Sequence, residues 1–223
     1  MYPNYFIVYD LETGGLITKD KTTGEKVIPP ITEFACSILN NELEVVEEID
    51  IFIKPYKPDT CYAAEALKVS NITLDLCREQ GIEALEAAKK IIDMFKKAKA
   101  PSQGKKPVLC GHNIDSFDNI ILDTFLSEFQ QDLSKVVDSD FTIDTKWWGR
   151  MAYPDLPGFT LSDCLMRENI DNEQAHRAIG DVRANKELVV KMLQKLRGQG
   201  SLFTEAQPKE SYRKSFRFQI ARK

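Results

Sequence analysis

The run Tyr5-Phe6-Ile7-Val8-Tyr9 is short, β-prone and apolar on both of its alternating faces. A strand with two apolar faces must lie inside a sheet that other elements cover on both sides, so the chain has to build layers around it. The run leads into Asp10-Leu11-Glu12-Thr13-Gly14-Gly15-Leu16. Side chains alternate along a strand, so Asp10 and Glu12 project to one side of its carboxyl end while Leu11 points away. The glycines that follow let backbone and ligand approach closely.

Two more strands are predicted, Thr32 to Leu39 and Glu44 to Ile53, joined by a tight turn at Asn40-Asn41. Ile49, Ile51 and Ile53 alternate with Asp50 and Phe52, the pattern of a sheet with unequal faces, and the three strands together form an antiparallel meander. Residues 17–30 are polar and read as a long loop or β-extension beside the first strand.

Beyond Pro55 and Pro58 the periodicity becomes helical. Ala63 to Val69 reads as a short helix, and Thr73 caps another that stops at Gly81. Glu83 to Lys99 is expected as the longest amphipathic helix, burying Leu85, Ala88, Ile91, Ile92 and Phe95. A link over 101–107 precedes a strand at Val108-Leu109-Cys110 and a helix from Ser116 to Phe129. Phe141 to Asp144 is the last strand, Thr160-Leu161-Ser162-Asp163 a capping box, and Ile179 to Leu196 the final core helix. This order predicts an α/β domain, a mixed five-stranded sheet flanked by helices, over residues 1–200, with a basic tail over 201–223.

No stretch reaches the roughly 20 apolar residues of a membrane span, and no secretory signal is visible at Met1-Tyr2-Pro3-Asn4. The cysteines at 36, 61, 77, 110 and 164 are scattered, with no C-x-x-C pair, which fits buried thiols in a reducing cytoplasm. The net charge of -4 is uneven: residues 203–223 carry six basic and two acidic residues, or +4, leaving -8 elsewhere. The tail is either a contact for a polyanion or a solvated segment.

Two later segments carry chemistry. Gly111-His112-Asn113-Ile114-Asp115-Ser116-Phe117-Asp118 leaves a strand and enters a helix, and His176-Arg177-Ala178-Ile179-Gly180-Asp181 opens another. Asp118 is expected in a first helical turn, with Asp115 or Ser116 as the competing cap. His112 either orders its turn or lines the site. His176 and Asp181 are five apart, too far to stack on one helix face, so His176 is expected on the loop and Asp181 near the helix start. Four converging carboxylates raise each other's pKa. Divalent cations held by oxygen ligands relieve that repulsion and cleave phosphodiesters by in-line attack of water. A neutral histidine beside them can accept the water's proton.

Asp10-Leu11-Glu12-Thr13, His112-Asn113 with Phe117-Asp118, and His176-Arg177-Ala178 with Asp181 resemble, in order and context, the three motifs of the DEDDh 3′→5′ exonuclease superfamily. That superfamily includes proofreading epsilon subunits, oligoribonuclease and freestanding phage and bacterial enzymes. The likeness spans about residues 5 to 197 and includes Ile143-Asp144-Thr145. The second motif has three residues between Asn113 and Phe117 where many members have two.

The resemblance implies a ribonuclease H-like fold and two Mg2+ ions, with Mn2+ able to substitute. It implies Asp10, Glu12, Asp118 and Asp181 as metal ligands and His176 as the base. Thr13, Leu16, His112 and Asn113 would contact substrate. The activity implied is release of nucleoside 5′-monophosphates from a 3′ end. The expected partner is single-stranded DNA in preference to RNA, with a replication or repair protein acting in trans and no membrane. Trp147-Trp148 are tempting stacking platforms that burial would disqualify, and Phe117 either stacks on a base or fills the core. The rivals are an inactive nucleic-acid-binding or scaffolding module and a ribonuclease H-type endonuclease.

Overall fold

The computed structural model describes residues 5–99 and 105–204, without the side chains of 99 and 199–204. Most of the basic tail, residues 205–223, and part of the 101–107 link lie outside the described residues. The chain divides into two compact units, Met1–Val189 and Val190–Lys223, and every candidate site residue belongs to the first.

The first strand, β1 (Phe6–Thr13), is the middle of a five-stranded sheet. On one side it pairs antiparallel with β4 (Ile31–Leu39), which pairs antiparallel with β5 (Val45–Phe52). On the other it pairs parallel with β6 (Val108–Gly111), and β6 with β7 (Thr142–Asp144). The order β5-β4-β1-β6-β7 brings the carboxyl ends of β1, β6 and β7 to one edge.

One face of the sheet presents Ile7, Tyr9, Leu11, Phe34 and Ile38 to a large core. That core includes Ala88, Ile91 and Phe95 of α3 (Ala84–Lys99) and Ile121, Leu122 and Phe125 of α4 (Asp118–Glu128). Each fully buried side chain of this size contributes about 1.5–3 kcal/mol. Leu85 departs from expectation: it is exposed, and Ala84 and Ala87 take the buried positions in its place. On the opposite face Ala35 packs with Ala178, Ile179 and Val182 at the start of α7 (Ala178–Thr204), which is longer than α3.

The 17–30 segment carries a small hairpin of β2 (Thr18–Lys19) and β3 (Lys26–Val27). Between β4 and β5 the left-handed residue is Leu43 (φ 69°), and neither Asn40 nor Asn41 takes that conformation. The turn is wider than the predicted Asn-Asn pair because the Asn40 side chain closes it, accepting Glu44 N–H at 2.9 Å and donating to the Glu44 carboxylate at 3.0 Å.

The short helices α1 (Ala64–Ser70) and α2 (Leu74–Gln80) follow, the second capped by Thr73 Oγ1 accepting Leu76 N–H at 3.0 Å. One helix was not anticipated, α5 (Thr145–Ala152). No loop announces it, because Asp144 both ends β7 and caps the helix, its carboxylate accepting Lys146 N–H at 2.9 Å. Thr160 and Asp163 form the expected capping box of α6 (Leu161–Arg167).

Candidate active site

Asp10 and Glu12 leave the same face of β1 just before a register shift between Glu12 and Thr13. Asp181 reaches them from the first turn of α7. One oxygen from each of the three half-buried carboxylates lies within 4.8 Å of the others. Asp118, first residue of α4, is almost fully buried at 5% exposure. It lies outside that tight triad, yet its charge is the strongest acting on Asp10.

Burial and repulsion raise all four carboxyls above the usual range, Asp10, Glu12 and Asp118 most strongly. Asp10 is pushed up by burial and then by Asp118, Asp181 and Glu12. Glu12 rises to about 8, again by burial first and then Asp181. Burial takes Asp118 to about 7 against the restraint of backbone N–H groups. Asp181 is raised by burial, while the Asn172 amide and the His176 N–H counteract it. An all-oxygen cluster that cannot stay ionised by itself fits hard divalent cations.

His176 stands exposed on the loop ahead of α7, in the left-handed region at φ 64°. Such a conformation persists only where surrounding contacts hold it. Its backbone N–H donates to Asp181 Oδ2 at 3.2 Å, and Asn172 Nδ2 donates to Asp181 Oδ1 at 2.6 Å. Gly180 permits this closeness, since a Cβ there would lie 2.2 Å from the Gln174 carbonyl oxygen.

The next residue anchors the loop. Arg177 grips Glu33 with Nε and Nη2 at 2.8–3.2 Å, and Ala178 N–H donates to the same carboxylate at 3.1 Å. Glu33 is wholly buried on β4, directly opposite Glu12 in the β1–β4 register. Asp50, on β5, is pushed up to about 7 by burial and by Glu33. Sequence reasoning missed Glu33, Arg177 and Asn172 as supports. A lone carboxylate in the otherwise uncharged run Ile31-to-Leu39 was the available signal, because a buried charge demands a partner.

The second motif forms a tight turn around Asn113 (φ 62°). Asn113 N–H donates to Asp144 Oδ1 at 2.9 Å, and Lys146 Nζ donates to Asn113 Oδ1 at 2.9 Å. His112 meets Thr145 Oγ1 at 3.0 Å through Nδ1 and the Phe159 carbonyl at 2.9 Å through Nε2. Burial lowers its pKa, and Nε2 faces a carbonyl that can only accept. Both nitrogens are engaged by the protein, and the ring braces its turn. Asp115 does not cap α4; it accepts from Thr142 Oγ1 and Asn119 Nδ2. Phe117 packs against the main core.

At the first motif Thr13 Oγ1 donates to the Gly15 carbonyl at 2.7 Å. Gly14 is held between Pro30 and Ala63, where a Cβ would lie 2.8 Å from Tyr62. Leu16 projects into solvent at 76% exposure, four residues after Glu12 in the chain.

The RNase_T exonuclease family model matches residues 7–189. DNA polymerase III PolC-type of Latilactobacillus sakei is 28% identical over 190 residues, 84% of this chain and 11% of that protein. The Bacillus subtilis protein of the same description is 27% identical over 189 residues, also 84% of this chain and 11% of its own length. The chain therefore spans about a tenth of these curated relatives. Among solved structures, Escherichia coli exonuclease I in complex with a dT13 oligonucleotide superposes with TM-score 0.68 at 22% identity, covering 92% of this chain and 44% of that one. The shared fold is ribonuclease H-like.

Proposed function

The chain belongs to the RNase_T exonuclease family, in its DEDDh branch, and from that premise we propose that it removes nucleoside 5′-monophosphates from 3′ ends, DNA in preference to RNA. The observation that carries this reading is the Asp10–Glu12–Asp181 triad within 4.8 Å, with His176 tied to Asp181 through its backbone. Asp10, Glu12 and Asp181 would hold one divalent ion, and Asp10 with Asp118 a second. Oxygen donors suit Mg2+, with Mn2+ able to replace it. Such ions, when bound, lower the pKa of water and stabilise the departing 3′ oxygen.

The chain's own residues do the rest. His176, on its exposed loop, accepts the proton of the attacking water. The Arg177–Glu33 clamp keeps that loop over the triad. Leu16 wedges against the terminal base, Thr13 and the Asn113 turn position its sugar and phosphate, and His112 supports the turn from behind. The preference for DNA is supported by the PolC-type DNA polymerase relatives and by the dT13 complex of exonuclease I. A replication or repair partner in trans is supported by a matched structure described as an exonuclease I complex with SSB-Ct. Free thiols at all five cysteines support a cytoplasmic setting, and no helix among the described residues is long and apolar enough to cross a membrane.

Matched DNA and RNA oligonucleotides labelled at either end, with Mg2+, test this. A 3′ label should leave first as mononucleotide, a 5′-labelled strand should shorten gradually, and a circular strand should survive. Cutting of the circle would identify an endonuclease, binding without hydrolysis an inactive module, and faster loss of RNA would reverse the substrate preference.

A further inference from the structure

The proposed chemistry uses the carboxyl ends of β1 and β6 and leaves α5 without a role, although α5 starts from the same edge of the sheet. Trp147 on this helix is 53% exposed. The Arg150 guanidinium lies over its ring, 5.0 Å from the centroid, and also over the Phe159 ring at 5.5 Å. Among the described residues Arg150 has no carboxylate partner, so its charge is available to a ligand.

Two hydrogen bonds join this patch to the second-motif turn. Lys146, next to Trp147, reaches Asn113 Oδ1 at 2.9 Å, and the Phe159 carbonyl accepts from His112 Nε2 at 2.9 Å. The patch is thus joined to the turn that leads into Asp118, and it is cationic and aromatic where the carboxylate cluster is acidic.

We propose that Trp147, Arg150 and Phe159 form a platform for single-stranded nucleic acid, binding nucleotides that precede the 3′ end held at the carboxylates. This rests on the exonuclease reading, which places a strand's end in the cleft. An exposed indole offers a face for base stacking that tolerates any sequence, and a guanidinium presented by two rings can meet a phosphate without losing its own packing. A double helix keeps its bases stacked inside and offers them no such contact, so the platform selects single strands. Trp148 takes no part, because it is half-buried and its Nε1 is enclosed by protein.

The test is binding of fluorescein-labelled deoxythymidine strands to the full chain in Ca2+, with strand integrity checked afterwards. Strands of roughly 3 and 12 nucleotides separate end recognition from upstream contacts. Trp147→Ala should raise the Kd of the long strand about five- to one-hundred-fold and that of the short strand much less. Arg150→Ala should weaken the long strand too and reduce its salt slope by roughly 0.7. Trp147→Phe should recover most of the loss. Val46→Ala, exposed on the far edge strand β5, is the control that should change nothing. Circular dichroism of each variant checks folding.

Unchanged long-strand binding in both Trp147→Ala and Trp147→Phe, or equal losses on short and long strands, would overturn the platform. A wild-type chain that binds with the expected length dependence but releases no nucleotide would sink the exonuclease reading and leave the platform standing.

Discussion

Glu33 and Glu12 face each other across paired strands, yet the protein treats the two carboxylates oppositely. Glu33 is fully buried and receives a guanidinium fork and a backbone N–H. Glu12 shares its pocket with Asp10, Asp181 and the nearby Asp118, and burial, then repulsion, carries it to about 8. A buried charge with its partner supplied holds structure in place. A cluster of acids whose main neighbours are one another is costly to ionise, and bound cations would relieve that cost. The chain spends its own arginine on Glu33 and leaves Asp10, Glu12 and Asp181 clustered with one another.

The sharpest way to break this contrast is to remove a ligand from the unpaired side. Asp181→Ala should lower Mg2+-dependent turnover by roughly 10³-fold or more, since the lost charge stabilisation amounts to several kcal/mol. Release of labelled mononucleotide measures it, and near-normal activity would end the metal-site assignment. His176→Ala should cost about 10² to 10⁴ in turnover while strand binding persists. If His112→Ala caused the larger loss with its fold intact, the base would lie elsewhere.

Stability sharpens the same comparison with opposite signs. Glu33→Gln leaves Arg177 without its charge partner, and because a third of that side chain is exposed the cost is about 1–3 kcal/mol. Asp10→Asn in metal-free protein should instead stabilise by on the order of 1 kcal/mol, by relieving repulsion. Urea unfolding with EDTA measures both, and equal destabilisation would mean that the two sides are alike.

The comparison also has a pH signature. Unfolded carboxyls lose their protons near pH 4, whereas metal-free folded Glu12 and Asp118 keep theirs to about 8 and about 7. In that window the folded state binds more protons, so metal-free stability falls as pH rises. The loss between pH 5 and pH 8 should be on the order of several kcal/mol, and Mg2+ should reduce it. A metal-free protein equally stable at both values would mean that the acids are not mutually strained.

Sequence alone determined the elements with strong local signals. The doubly apolar run before Asp10 could only be a covered strand, and alternation then put Asp10 and Glu12 on one side. Thr73, Gly81 and Thr160 marked helix ends, because capping is a contact between near neighbours in the chain. Types and spacing singled out the five motif residues, and the fold brings three of them, Asp10, Glu12 and Asp181, together. The β4–β5 turn, the exposure of Leu85 and the existence of α5 were not legible in the sequence: the turn rests on which of several local side-chain contacts forms, Leu85 on which helix face meets the sheet, and the start of α5 overlaps the end of β7.

Tertiary structure alone decided what surrounds the motifs. It set Asp118 beside Asp10 yet outside the tight triad, placed Glu33 under the histidine loop, and brought Phe159 and α5 against the second-motif turn. The reason is range. Alternation and capping act over a few residues and can be read along the chain, whereas a charge's partner is chosen by proximity after folding. Glu33 and Arg177 are 144 residues apart, and only sheet pairing and helix packing bring them together.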